Sequence, residues 1–154
     1  MTHILERNKE LPIPLREAWE FFSDPRNLAR ITPSNMGFVI HDPAPEPPIR
    51  AGQRISYTVR PLLGIPLRWV TLITEAEAPH RFVDTQERGP YALWHHTHTF
   101  TATAKGTLMT DRVEYAMPFG VLGELAHRIF VKKQLEGIFN YREKVLLELF
   151  PVKG

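Results

Sequence analysis

At 154 residues the chain has the length of one ordinary domain, enough to bury a real core. Its 43% hydrophobic and 23% charged residues are the balance of a folded globular protein and exclude a disordered or fibrous one. The formal charge of +2 is spread over scattered basic residues, and the lack of cysteine excludes disulfides and thiolate chemistry.

The opening stretch, MTHILERNKELPIP, has no apolar core of signal-peptide length, and no later apolar run is long enough to span a bilayer. Cytoplasmic residence without stable membrane insertion is expected. No Lys/Arg stripe with interleaved aromatics occurs, so nucleic acid is not an expected partner. Residues 3–11 read as a first strand of weak alternation. Pro12 and Pro14 break the chain, and Leu15, Ala18, Trp19 and Phe22 then recur at helical spacing through Ser23. Asp24 is placed to cap a second short helix running to about Arg30, which ends before Thr32-Pro33. Prolines crowd residues 43–48 and exclude a central strand there.

From Gln53 the period becomes two. Ile55, Tyr57 and Val59 alternate with Arg54, Ser56 and Thr58, and residues 67–76 resume with Trp69, Thr71 and Ile73 on one side. Phe82, Asp84 and Gln86 share a face of the next strand. Residues 92–103 put Trp94, His96, His98 and Phe100 on one face. After a Lys105-Gly106 turn, Asp111, Val113, Tyr115 and Met117 share a face of residues 107–117.

Gly120 to Phe150 is the long proline-free helical stretch, and it carries two phases. Leu135, Ile138, Phe139, Val145, Leu146 and Leu149 form a buried stripe. Leu122, Leu125, Ala126 and Ile129 form another, turned away from the first, with the change of phase near Lys132 and Lys133. A short leading helix or a kinked first turn fits this better than one straight rod. Arg142 lies in the middle of the buried stripe. Either its stem packs while the guanidinium reaches the edge, or it points inward to a carboxylate or an acidic ligand group.

This order of one strand, two short helices, a run of strands and a long helix resembles the START/Bet v 1-like (SRPBCC) superfamily over essentially the whole chain. The segments that carry the likeness are PLREAWEFFSDPRNLARITPSNMGF and FVKKQLEGIFNYREKVLLELF. Between them, RWVTLITEAEAPHRFVDTQERGPYALWHHTHTF and DRVEYAMPFGVLG are similar to the bacterial ligand-binding SRPBCC subgroup. The resemblance implies an α+β helix-grip fold. A curved six- or seven-stranded antiparallel sheet would wrap the C-terminal helix, with a hydrophobic cavity between them. Family members bind lipids, sterols, hormones or polyketides, and some are cyclases or aromatases. No fixed catalytic motif defines the superfamily, so no catalytic residue is assigned.

If Trp69, Phe82, Trp94, Phe100, Val113 and Tyr115 face the concave side, the same parity carries Asp84, Gln86, His96, His98 and Asp111 inward. Three readings stay open: outward polar positions or a bulge, a polar floor that orients an apolar ligand, and a metal site on His96 and His98 with Asp84 or Asp111. No clear third and fourth ligand accompanies the His-x-His pair, and neither a metal nor a cofactor is expected. Phe119, Val121 and Leu122 are expected over one end of the cavity as a lid.

The expected function is binding of a small hydrophobic molecule (a lipid, isoprenoid or polyketide) by a monomer or homodimer. Tyr57, Trp69, Phe82, Trp94, His96, His98, Phe100, Tyr115, Phe139 and Arg142 are the candidate contacts. The alternative is a polyketide cyclase or dehydratase, in which two of Tyr115, His96 and Arg142 converge at the cavity floor.

Overall fold

The computed structural model describes residues 1–152. Its strands are β1 (Thr2–Leu11), β2 (Val39–Ile40), β3 (Arg54–Val59), β4 (Leu67–Glu77), β5 (Arg81–Arg88), β6 (Leu93–Thr103) and β7 (Gly106–Ala116). They form one antiparallel sheet in the order β1-β7-β6-β5-β4-β3-β2. Strands β2 to β7 are a meander of neighbours in sequence. The first strand returns to pair with the last, Thr2 opposite Ala116. Helices α1 (Leu15–Phe22) and α2 (Asn27–Arg30) follow β1. The chain closes with α3 (Gly120–Ala126), a π-helical turn (His127–Val131) and α4 (Lys132–Leu149). This is the helix-grip arrangement, with seven strands.

The alternation of side chains builds it. Along β7 every second residue from Thr107 to Tyr115 is buried, so that strand has one interior face and one wet face. Ala18 and Trp19 are the buried face of α1, and Trp19 meets Phe82 and Phe100 edge-on at 5.9 Å each. At the β6–β7 turn, Gly106 lies so close to the end of β1 that a Cβ there would overlap the Leu11 carbonyl oxygen. The neighbouring Thr107 hydroxyl donates to the Ile13 carbonyl at 2.8 Å, which fixes where β1 leaves the sheet.

Several expectations change. The two-residue β2 is too short, and too close to the proline-rich loop, to show a period of its own. Asp24 accepts from the Arg26 backbone N–H at 3.1 Å and from its guanidinium, which closes a turn ahead of α2 instead of capping it. The change of helical phase is a π turn, whose wider winding rotates α3 relative to α4. The stripe on the leading helix is turned outward. Leu122, Leu125 and Ile129 are 74%, 52% and 72% exposed, because the buried side of that segment is Gly123 and His127. Phe119 and Val121 are also exposed, and with Leu122 they border neither hollow between sheet and helix, so they form no lid there. No helix among the described residues is long and apolar enough to cross a membrane.

Candidate functional site

Strands β5, β6 and β7 lie side by side and set the polar floor. Asp84 stands opposite His96, and His98 stands opposite Asp111, all on the interior face. The closest contacts run along the diagonals. His96 Nε2 donates to Asp111 Oδ1 at 2.8 Å, and His98 Nε2 donates to Asp84 Oδ2 at 2.6 Å. On the directly opposed pairs, His98 Nδ1 lies 3.2 Å from Asp111 Oδ1, while His96 Nδ1 is 3.9 Å from Asp84 Oδ2. The two imidazoles stack at 3.6 Å, and Phe82 covers the other face of His98 at 3.9 Å. The register shifts between β4 and β5 do not turn Asp84 outward.

Two carboxylates thus face both nitrogens of His98 but only one nitrogen of His96 closely. Burial disfavours a charged imidazole at both positions. At His98 the hydrogen bonds to Asp111 and Asp84 outweigh it, and the pKa is raised above its ordinary value. At His96 burial, reinforced by the charge on His98, prevails and the pKa is lowered. Burial also opposes ionisation of Asp111 and Asp84. Hydrogen bonds from His96 and His98 to Asp111, and from His98 to Asp84, nevertheless hold both below the usual carboxylate range. The two rings are thus pushed in opposite directions, His98 toward the imidazolium and His96 toward the neutral imidazole.

The remaining charge comes from α4. Its buried stripe is Leu135, Phe139, Arg142 and Leu146, so the guanidinium does not reach solvent. Arg142 lies over the Phe139 ring at 4.7 Å, and its Nη1 is 3.9 Å from Asp111 Oδ1. Its Nε finds no acceptor among the described residues, and neither does Trp69 Nε1. Two carboxylates, Asp84 and Asp111, thus face one guanidinium and two imidazoles.

Two hollows meet at this floor. The first, of about 140 Å³, lies between Phe21, Phe22 and Leu28 on one side and Ile55, Ile73 and Asp84 on the other. The second, of about 120 Å³, is walled by Phe38, Trp69, Tyr91, Leu135 and Phe139. Leu28, Tyr57, Trp94, His96 and Arg142 border both and form the partition between them. Of the residues singled out from the sequence, Tyr57, Trp94, His96 and Arg142 thus reach both hollows. Phe82 and His98 border only the first, and Trp69 and Phe139 only the second.

Phe100 and Tyr115 border neither. Phe100 is covered by α1, where it packs on Trp19 and Phe22. The Tyr115 hydroxyl is engaged at 2.8 Å with His127 Nε2 under the π turn, so only His96 and Arg142 of the three acid–base candidates come together, through Asp111. Gln86 clamps the Tyr91 backbone from both its amide atoms, at 2.7 and 2.9 Å, and serves the turn after β5. Sequence reasoning missed Ile40, Ile49 and Tyr91. The first two sit in or beside the proline-rich loop, where no period marks an inward face.

The donor atoms of Asp84, His96 and His98 lie within 4.8 Å of one another, as do those of His3, Glu124 and His127. In both groups the imidazoles are stacked at 3.6 Å, which aims their nitrogens side by side and not at one point. The His98 nitrogens are also already engaged, Nε2 by Asp84 at 2.6 Å and Nδ1 by Asp111 at 3.2 Å. The donor sets do not fit a tetrahedral ion.

A family model described as polyketide cyclase/dehydrase and lipid transport matches residues 11–138. Among solved structures, protein CV1439 from Chromobacterium violaceum is 18% identical, with 96% of this chain and 97% of that one covered at a TM-score of 0.70. An uncharacterized protein from Rhizobium leguminosarum is 14% identical over 96% of each chain, with a TM-score of 0.69. Ara h 8.0201 is 16% identical, covering 96% of this chain and 99% of its own, with a TM-score of 0.65. These likenesses show the fold. No curated protein matches the sequence.

Proposed function

The chain belongs to the polyketide cyclase/dehydrase and lipid transport family, and on that premise we propose that the two hollows act as one cavity for a small hydrophobic molecule with oxygen atoms at its polar end. The observation that carries this reading is the pair of buried donors without acceptors, Arg142 Nε and Trp69 Nε1, both on residues that border the second hollow. A ligand carbonyl or hydroxyl oxygen satisfies such donors, whereas a plain hydrocarbon leaves them unpaired at a cost of about 1–3 kcal/mol each. An uncharged head suits a floor that already holds two carboxylates, Asp84 and Asp111, beside Arg142.

Size narrows the class further. A cavity of about 150 Å³ holds one benzene ring. Hollows of about 140 and 120 Å³ that share a partition suit a compact, ring-bearing molecule of polyketide type better than an extended fatty acid. Tyr57, Trp94 and Phe139 then supply wall, and Arg142 orients the oxygen.

A second reading has a specific observation behind it. His96, its pKa lowered by burial, is held by Asp111 and borders both hollows, which is the arrangement of an oriented general base. Arg142 stands beside it to stabilise an enolate, as a cyclase or dehydratase requires.

The test is native mass spectrometry of the purified protein with organic extraction. It is followed by titration of hydroxylated bicyclic aromatics and of a long-chain fatty acid against Trp fluorescence. Binding of the oxygenated ring compounds, lost in Arg142→Met while the variant stays folded, is the expected outcome. Preference for the fatty acid, or unchanged affinity in Arg142→Met, would refute the reading. Turnover of a bound ring compound that stops in His96→Gln would move the assignment to the enzyme.

A further inference from the structure

Among the described residues, two besides glycine hold a positive φ: Leu63 at 53° and Phe119 at 66°. Neither is of a type that favours the left-handed region, and both are large and apolar. They are also among the most exposed apolar side chains, at 88% and 83%, so no packing in this chain compensates the strain. Each stands at the tip of a longer apolar surface. Leu63 is flanked in the β3–β4 loop by exposed Leu62 and Ile65. Phe119 precedes exposed Val121, Leu122, Leu125 and Ile129 on α3 and the π turn.

The two surfaces border the same end of α4. The π turn runs directly into it, and Gln134 in its first turn donates to the Pro61 carbonyl at 2.6 Å, which ties down the base of the loop. Exposed cations surround this end: Arg60 in the loop, Arg128 on the π turn, and Lys132 and Lys133 at the start of α4. From Phe119 to Lys133 the one carboxylate is Glu124, and His3 engages both its oxygens at 2.9 and 3.2 Å. Apolar tips ringed by unopposed cations match an anionic lipid surface. A second copy of the chain would set these cations against their own kind.

We propose that the β3–β4 loop and the α3–π segment form one reversible docking surface for a bilayer containing anionic phospholipid, with Leu63 and Phe119 inserting at the headgroup level. Docking there brings the lipid against Pro61 and Gln134, which also border the second hollow.

The full chain is tested by co-sedimentation with phosphatidylcholine vesicles, with and without phosphatidylglycerol. Binding is expected with phosphatidylglycerol alone and falls as salt is raised. Charge reversal at Lys132 or Lys133 weakens it about fivefold. Leu63→Asn and Phe119→Asn separate docking from folding, because asparagine tolerates the left-handed region. Each variant is expected to melt at or above the temperature of the parent and to bind vesicles about tenfold more weakly. Vesicle binding unaltered by either substitution overturns the proposal, as does equal binding to uncharged vesicles. It is also overturned if the protein ignores vesicles and forms a dimer that Leu122→Ser and Leu125→Ser dissolve. These readouts are independent of what the cavity holds.

Discussion

His96 and His98 are two residues apart, share a face of one strand and stack on each other, yet they titrate in opposite directions. The imidazolium at His98 contributes stability that is fully present below the ordinary value of 6.5 and is lost as pH rises through its raised pKa. The neutral imidazole at His96 works the other way. As pH falls below 6.5 the unfolded chain takes up that proton first, and stability declines toward the lowered pKa. Asp84 and Asp111 add stability above their ordinary 3.8 that is lost only as pH falls through their depressed values. Imidazole NMR is expected to place His98 above 6.5 and His96 below it. His98→Gln should flatten the alkaline fall in melting temperature, and His96→Gln the acid one. A common midpoint for the two rings would contradict this account. Asp111→Asn leaves His98 and Arg142 facing one buried carboxylate instead of two. It is expected to cost about 3–5 kcal/mol in urea unfolding and to lower the His98 midpoint. Parity alone brought this cluster within reach of sequence reasoning, since Asp84, His96, His98 and Asp111 follow their aromatic neighbours inward. It did not reveal which carboxylate each ring meets, because that depends on the diagonal offset between strands.

At the scale of elements, the regular strands and α4 were legible because each buries one face and repeats at its own period. The leading helix was misread for a physical reason. Its inward face is a glycine and a histidine, so its apolar residues mark the side away from the protein, where a stripe is ordinarily taken as core. Gly123 makes that packing possible: a Cβ there would overlap the Pro118 carbonyl oxygen. Gly123→Ala is therefore expected to push α3 away from the Met117–Pro118 turn that leads into it, despite the better helix propensity of alanine, with a loss of about 1–3 kcal/mol. Hydrogen exchange should show it as lost protection confined to the α3–π segment and the His127–Tyr115 contact. A stabilised protein would refute the close packing. Arg142 was equally ambiguous in sequence, where a stem along the core and a head within it give the same pattern.

For the molecule as a whole, the sheet and α4 enclose the second hollow, on which both residues with unpaired donors border. If the cavity is the binding site, a ligand that pairs those donors stabilises the fold by mass action. At a concentration about 100 times its dissociation constant the gain is about 2.7 kcal/mol, read as a rise in melting temperature that depends on ligand concentration. Arg142→Met should abolish that rise; it also leaves Asp111 short of a buried cation and lowers the melting temperature of the free protein, so the ligand shift is read against the variant's own ligand-free value. A ligand-induced shift that survives the substitution would place the ligand elsewhere. The fold class followed from the order of elements. The size of the hollows did not, since it is set by how Phe21, Phe22 and Trp94 pack and no local pattern encodes that.

The return of β1 to the far edge also bears on the chain's synthesis. Strands β2 to β7 each pair with a neighbour made just before or after them, whereas β1 pairs only with β7, Leu11 opposite Thr107 at the nearest point. On the ribosome β1 must wait until almost the whole sheet has followed it. During that interval its Glu6, Arg7, Lys9 and Glu10 keep an unpaired strand charged and discourage it from joining a neighbouring nascent chain. The sheet is completed only when β7 has been made and β1 can pair with it.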